Sequence, residues 1–339
     1  MKRKIVIAGY PQTQHVGAHF LYAARSLGLK AKLCDISKAY KAGLLKTKIN
    51  WWLRGHLPAR LRQFSTEALK ICMEFKPKWI LCTGLTPIDA ETLRKIGKLG
   101  IWRISYLTDD PWNPAHRALW FMKAIAFYDH IFTPRRANMN DLERWGCRRV
   151  SYLPFAYAPR KHFRELPAAT KNKSGFGHDV IFAGGADKDR ISYISSIIRS
   201  NFKLGLYGGY WERYSQTKNY TGGEIDMETL RKAINGSRIA LGFVRRANRD
   251  GNAMRTFEIP AIGTCMLTKD TLEHREIFGK EGENVLYFKN EDEMIRKIKF
   301  LLNNPVKREQ LADNAHNLIV KGSHTYKDRL FTMITEDEN

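Results

Sequence analysis

The residues best suited to chemistry lie between Arg249 and Thr264, in the run Arg249-Asp250-Gly251-Asn252-Ala253-Met254-Arg255-Thr256-Phe257-Glu258-Ile259-Pro260-Ala261-Ile262-Gly263-Thr264. Strand-like apolar runs flank it, Ile239 to Val244 before and Thr264 to Leu267 after, so it reads as a loop feeding the crossover helix of a βαβ unit. Such a helix points its N-terminus at the carboxyl ends of the strands. Its free N–H groups, its dipole and the charge of Arg255 favour a phosphate there. Glu258, one turn further on, is poorly placed for phosphate and well placed to accept hydrogens from two hydroxyls of a ribose or other sugar. Asp250 precedes it by eight residues.

Two further tracts carry similar chemistry. Gly184-Gly185-Ala186-Asp187-Lys188-Asp189-Arg190 reads as a glycine-led basic loop, in which backbone N–H groups approach a phosphate while Lys188 and Arg190 supply charge. Thr108-Asp109-Asp110-Pro111 puts two carboxylates after the strand-like run Trp102 to Leu107, where open α/β sheets keep their ligands. Paired aspartates suit a metal, and adjacent aspartates before proline equally suit a helix N-cap. His15-x-x-x-His19 is read as two separate histidines because no Glu partner accompanies it. Likewise Arg255 and Glu258, three apart on one helix, also fit a surface ion pair of little energetic weight.

Elements that would position these residues alternate along the whole chain. Lys4 to Gly9 is a strand, Ala18 to Leu27 a helix and Ala31 to Asp35 a strand, without the G-x-G-x-x-G fingerprint of a dinucleotide site. Helices over Leu57 to Phe75, Ile88 to Leu99, Met122 to Phe127 and Asn138 to Trp145 alternate with strands at Trp79 to Thr83, Trp102 to Leu107, His130 to Thr133 and Arg149 to Leu153. Pro154 to His178, rich in Pro, Ala, Lys and Gly, is the one convincing boundary. A second series follows: strands at Asp179 to Ala183, Lys203 to Tyr207 and Val285 to Phe288, and helices at Ile191 to Arg199, Met227 to Asn235, Glu291 to Leu302 and Pro305 to Val320. Tyr207 opens an aromatic rim, continued by Tyr210 and Trp211, that would face a base or sugar. The fold expected is α/β, with two Rossmann-like domains whose parallel sheets face each other across a cleft. Residues 1–155 form the first, 156–323 the second, and 324–339 a terminal segment packing back toward the first.

The totals narrow the class. At 339 residues two domains are expected, and 43% hydrophobic with 27% charged residues is ordinary for a globular chain. No apolar run approaches the ~20 residues of a membrane span, and no signal peptide is read at the N-terminus. Five scattered cysteines without metal spacing fit a reducing cytoplasm. The net charge of +23 is the anomaly, and residues 1–150 hold +17 of it. Between Asp35 and Glu67 there is no acid, while Lys38, Lys41, Lys46, Lys48, Arg54, Arg60 and Arg62 surround Trp51, Trp52 and aliphatic residues. Residues 38–62 therefore read as a solvated rim over packed tryptophans, as a contact with an anionic membrane face, or as a stacking surface for single-stranded nucleic acid.

From Arg255-Thr256-Phe257-Glu258 to Gly263, Glu283-Asn284-Val285-Leu286-Tyr287-Phe288, Asn304-Pro305-Val306-Lys307-Arg308 and His324-Thr325-Tyr326-Lys327-Asp328-Arg329, the chain resembles the CgeB/YkvP-like glycosyltransferases. Those are similar to GT-B family 4 (glycosyl transferases group 1). Over residues 1–150 the likeness lies in the order of elements and in Asp109-Asp110-Pro111. The resemblance implies a nucleotide-sugar donor (a UDP-, GDP- or dTDP-sugar) on the second domain and an acceptor on the first, with transfer in the cleft. Glu258 would bind the donor ribose. Asp250 would take the position of the family's first glutamate, one methylene shorter, and Gly185 stands where the family carries arginine. Gly184, Gly185, Lys188, Arg190, Tyr207, Asn252 and Arg255 complete the implied donor side, and His15 and Gly17 the acceptor side.

The function expected is a glycosyltransferase that needs no cofactor or metal and retains the anomeric configuration if it follows family 4. Arg255, Lys188 and Arg190 would neutralise the leaving diphosphate. Asp109 or Asp110 would take the acceptor proton or orient the donor sugar. The acceptor expected is an anionic lipid-linked molecule or surface polysaccharide at the cytoplasmic face of a membrane. The alternatives are a GT-B epimerase or phosphorylase and a non-catalytic protein that binds nucleotide sugar, polysaccharide or nucleic acid.

Overall fold

The computed structural model describes residues 3–43, 50, 55–115, 117–165, 176–249 and 251–336. Asp250, Trp51 and Trp52 lie outside the described residues, so neither the family-glutamate position nor the tryptophans of the 38–62 stretch receive a structural reading. The chain divides into two compact units: residues 1–154 with 247–249 and 326–339, and residues 155–246 with 250–325.

Unit 1 holds strands β1 (Lys4–Gly9), β2 (Lys30–Asp35), β3 (Trp79–Thr83), β4 (Trp102–Tyr106), β5 (His130–Thr133) and β6 (Val150–Tyr152). They form one parallel sheet in the order β2-β1-β3-β4-β5-β6. Its helices are α1 (Val16–Ser26), α2 (Leu61–Phe75), α3 (Ala90–Lys98), α4 (Leu119–Ala124), α5 (Met139–Arg144) and, from the C-terminal end of the chain, the helix over Tyr326–Thr335. Ile5 to Ala8 and Trp79 to Cys82 are wholly buried. A parallel strand covered on both faces must read as an unbroken apolar run, which is why the sequence announced these two. Because β1 connects to β2 on one side and pairs with β3 on the other, the sheet has its switch point between β1 and β3. Ligands of open α/β sheets bind beyond the strand ends at that point.

At that switch point α1 approaches the end of β1 closely. A Cβ on Gly17 would lie 2.8 Å from the Gly9 Cα, and one on Gly9 would lie 2.6 Å from the Thr83 hydroxyl. Gly17→Ala is therefore expected to push α1 off the sheet and cost about 1–3 kcal/mol, read as a lower urea midpoint. Gly43→Ala, where an added methyl meets nothing within 4 Å, is the matched control.

Unit 2 holds β7 (Val180–Ala183), β8 (Leu204–Tyr207), β9 (Ile239–Gly242), β10 (Cys265–Lys269) and β11 (Leu286–Phe288), again all parallel, in the order β11-β10-β9-β7-β8. Helices α6 (Lys188–Arg199), α7 (Met227–Asn235), α8 (Met254–Ile262), α9 (Leu272–Phe278), α10 (Glu291–Asn303) and α11 (Pro305–Lys321) cover it, and the helix over Tyr326–Thr335 is α12. One buried cluster joins α7, α8 and α11 on one face of the sheet, and another joins α6 and α10 on the other. Here the switch point falls between β7 and β9.

Element boundaries differ from expectation chiefly in three places. α6 begins at Lys188, not Ile191, because the Asp187 carboxylate accepts from the Arg190 N–H at 3.1 Å and caps the helix. Lys188 and Arg190 thus sit on a helix, not in a loop. α9 was not expected, and Thr271 caps it by accepting from the His274 N–H at 3.1 Å. Helix α2 starts at Leu61, later than the Leu57 expected, since Pro58 belongs to the preceding turn. Among the described residues no helix is long and apolar enough to cross a membrane.

Candidate functional site

The unit 2 site forms at the carboxyl ends of β7 and β9. Strand β7 leaves its last carbonyl, Ala183 O, to accept from Arg255 Nε at 3.2 Å, so the first turn of α8 sits over the switch point. Gly208, at φ +127°, lets the β8 loop pass close: a Cβ there would stand 2.4 Å from Gly184 O. The same loop takes up amides expected for phosphate, since Gly184 N donates to Tyr207 O at 2.8 Å and Ala186 N to Gly209 O at 2.9 Å. Arg190 folds back on this loop, donating Nη1 to Gly185 O at 2.9 Å with Nε 3.2 Å from Asp187. At 7% exposure it braces the loop, whereas Lys188 and Arg245 are exposed beside it.

Glu258 is 1% exposed and meets one cationic side chain and one imidazole. Arg255 Nη1 pairs with its Oε2, and His162 Nε2 stands 3.6 Å from its Oε1. The Ala158 N–H donates to His162 Nδ1 at 3.0 Å, which leaves the ring proton of a neutral imidazole on Nε2, toward the carboxylate. Arg255, at 27% side-chain exposure, lies between the buried Glu258 carboxylate and solvent. The Arg255–Glu258 ion pair that the sequence allowed does form, but it is not a surface pair, because the acid is buried and has His162 as a second neighbour. His162 went unnoticed in the sequence since it sits in the Pro- and Lys-rich boundary, where no periodicity marks a buried side chain.

Asn252, fully buried, accepts from the Phe155 N–H at 3.4 Å and so helps hold the residues leading to His162. Tyr207 is half-buried, packs over Gly222 and meets His178 edge-on at 6.1 Å; burial raises its pKa.

In unit 1 the two aspartates part company. Asp110, 1% exposed, accepts from Arg249 at 2.7 and 3.0 Å and caps the following turn through the Trp112 N–H at 3.0 Å. Arg249 also donates to Asp141 at 2.8 Å and Asn138 at 3.1 Å, and the hydrogen bond with Asp110 raises its pKa. Asp110 is thus committed as the cap and ion-pair partner, and a free base is not what it offers. Asp109 stays half-buried, accepting from the Thr108 hydroxyl at 3.2 Å and lying against Gly84, whose φ of +64° lets the backbone turn there. Burial, then Asp109 and Asp35, raise the Tyr10 pKa, and the Tyr10 ring lies 4.8 Å from that of His15, tilted against it. His15 precedes the first turn of α1, and burial lowers its pKa, which keeps the imidazole neutral at pH 7. His19 turns away and stacks on Tyr326 at 4.8 Å. A half-buried carboxylate, a phenol and a neutral imidazole therefore collect at the ends of β1 and β4. Among the described residues no group of three or more His, Cys, Asp or Glu side chains is placed to hold a metal.

This pair of doubly wound sheets is the GT-B fold, and comparison with known proteins agrees. Residues 191–335, a little under half of the chain, match a family described as glycosyl transferase-like. Sucrose-phosphate synthase from Thermosynechococcus elongatus is similar in structure, with a TM-score of 0.71 at 11% identity over 99% of each chain. Anabaena HepE in complex with UDP and glucose has a TM-score of 0.68 at 11% identity, covering 99% of this chain and 100% of that one. A putative UDP-N-acetylglucosamine 2-epimerase from Listeria monocytogenes gives 0.63 at 12% identity, over 100% of this chain and 98% of its own. No curated protein matches the sequence.

Proposed function

We propose that the chain is a glycosyltransferase that draws on a nucleotide-sugar donor. The observation that carries this reading is the buried Glu258 carboxylate between Arg255 and His162 at the switch point of unit 2. The glycosyl transferase-like match over the same unit, and a fold shared with a protein bound to UDP and glucose, support it. When the donor binds, its ribose hydroxyls donate to Glu258, and Arg255 turns from Glu258 to the diphosphate, joined by Arg245 and the positive end of the α8 dipole. The charge that develops on the departing diphosphate is thereby met by cations and a helix dipole, without a metal or other cofactor. Lys188, the exposed first residue of α6, is not assigned to this cluster.

The acceptor half of the reaction is assigned to unit 1. Asp109 is the group that takes the proton from the acceptor hydroxyl, with Tyr10, His15 and the backbone at Gly17 shaping the acceptor site. The acceptor proposed is an anionic glycolipid or polysaccharide at a membrane face, on the basis of the +17 carried by residues 1–150. Retention of configuration is proposed by likeness to family 4.

UDP, GDP and dTDP are expected to give different shifts in melting temperature, with the matching nucleoside diphosphate at 100 times its Kd adding about 2.7 kcal/mol of stability. No shift with any of them would remove the donor assignment. The fold is also shared with an epimerase, and product analysis with and without acceptor separates the two activities: an epimerase converts its nucleotide sugar without one.

A further inference from the structure

Unit 2 holds a second region where charge is out of balance. A cavity of about 550 Å³ opens at the carboxyl ends of β9, β10 and β11, lined on its other side by the first turns of α6. Lys188, Arg246, Lys269 and Lys289 line it together with Asp189, Asp270 and Glu291, and so does Arg190, which is committed to Gly185 O and Asp187. Asp270 is taken chiefly by Arg275, which donates to it at 2.6 and 2.9 Å and lowers its pKa, while the Lys289 ammonium stands 3.8 Å from it. Cations therefore exceed the carboxylates left to meet them. Arg255, Glu258 and His162 are not among the residues of this wall.

Lys269 is held differently from a solvated surface lysine. Its ammonium donates to the Tyr193 hydroxyl and, at 3.1 Å, to Lys289 O, and it lies 4.0 Å from the centre of the Tyr193 ring and 4.9 Å from that of Phe288. Tyr193 donates its own hydroxyl hydrogen to Lys289 O at 3.2 Å, which fixes the ring. These partners are all uncharged. A half-buried ammonium held by rings and a carbonyl gains most from an anion that enters and replaces the water it has lost.

We propose that this cavity binds a compact polyanion of the diphosphate class, held by Lys269 with Lys188, Arg246 and Lys289, and that it is separate from the Glu258 cluster. Burial, and then Arg246, bring the Lys269 pKa down to about 8, while Asp189, Glu291 and Glu293 pull the other way without cancelling them. Lys269 is charged below that pH and neutral above it, so anion affinity falls as pH rises through it. Pyrophosphate itself only gains negative charge over this range, so a decline reports the protein.

The test is calorimetric titration of the full chain with inorganic pyrophosphate at pH 7 and pH 9, with and without saturating UDP. One pyrophosphate per chain is expected at pH 7, weakened roughly tenfold at pH 9 as the ammonium loses its proton. Lys269→Met should lower the pH 7 affinity about tenfold or more, while Lys269→Arg, which stays charged, should keep it and lose the pH dependence. Lys289→Ala, an exposed position, should weaken binding in a variant whose fold is undisturbed. Absence of binding at pH 7, or a Lys269→Met chain that binds like the parent, would overturn the proposal. Displacement of pyrophosphate by UDP would overturn the separateness, because the cavity would then belong to the nucleotide site. If UDP fails to bind while pyrophosphate still depends on Lys269, the donor reading fails and this one stands.

Discussion

Glu258→Gln is expected to weaken nucleoside diphosphate binding by about 10- to 100-fold, the ~1.5–3 kcal/mol of a hydrogen bond to a charged group. The substitution keeps the shape and removes the charge, so the ribose hydroxyls lose their acceptor while Arg255 loses its ion-pair partner. Calorimetry on the parent and the variant reads the loss, with circular dichroism confirming that the variant remains folded. Unchanged affinity would mean that the carboxylate is only a structural partner of Arg255. His162→Gln separates the roles: it removes the ring that stands 3.6 Å from Oε1 but leaves the carboxylate. A smaller effect, of a few fold, is expected there.

The largest stability effect is expected at Arg249. This residue sits at φ +52°, a left-handed conformation that costs a side-chain-bearing residue about 1 kcal/mol. The conformation is sustained by its two-point contact with Asp110. Removing the arginine leaves a carboxylate that is 1% exposed without its cation. Loss of one partner from a buried pair costs about 3–5 kcal/mol. Because the Arg249 side chain is 40% exposed, water offsets part of this, and Arg249→Ala is expected to cost about 2–3 kcal/mol. Asp110→Asn should cost less, and the double variant should fall well short of the sum of the two, the signature of a direct pair. Additive losses in denaturant titrations would show that the two side chains act independently.

These two residues also mark how far the sequence reaches. Glu258 was legible because a crossover helix presents its first turn at the strand ends, and strands such as Val180–Ala183 announce themselves as unbroken apolar runs. Even so, its burial and its contact with His162 were not, since they depend on how the residues after Pro154 fold back on α8. The division of labour between Asp109 and Asp110 was equally hidden. Adjacent carboxylates look alike in sequence, and what distinguishes them is Arg249, 139 positions away from Asp110. At α6 two local signals compete: Asp187 is a capping residue, and the glycines before it favour a loop three residues longer than the one that forms. Lys269 shows a third case. It lies two residues beyond the strand expected over Thr264 to Leu267, and only the extension of β10 to Lys269 with the approach of α6 and the residues after β11 turns it into a half-buried cation.

A crystal structure of the chain with UDP bound tests the central claim most directly. The expected result is a ribose whose hydroxyls lie within hydrogen-bond distance of the Glu258 carboxylate, with Arg255 swung from Glu258 to the diphosphate. UDP bound elsewhere on unit 2, with the Arg255–Glu258 pair undisturbed, would contradict it.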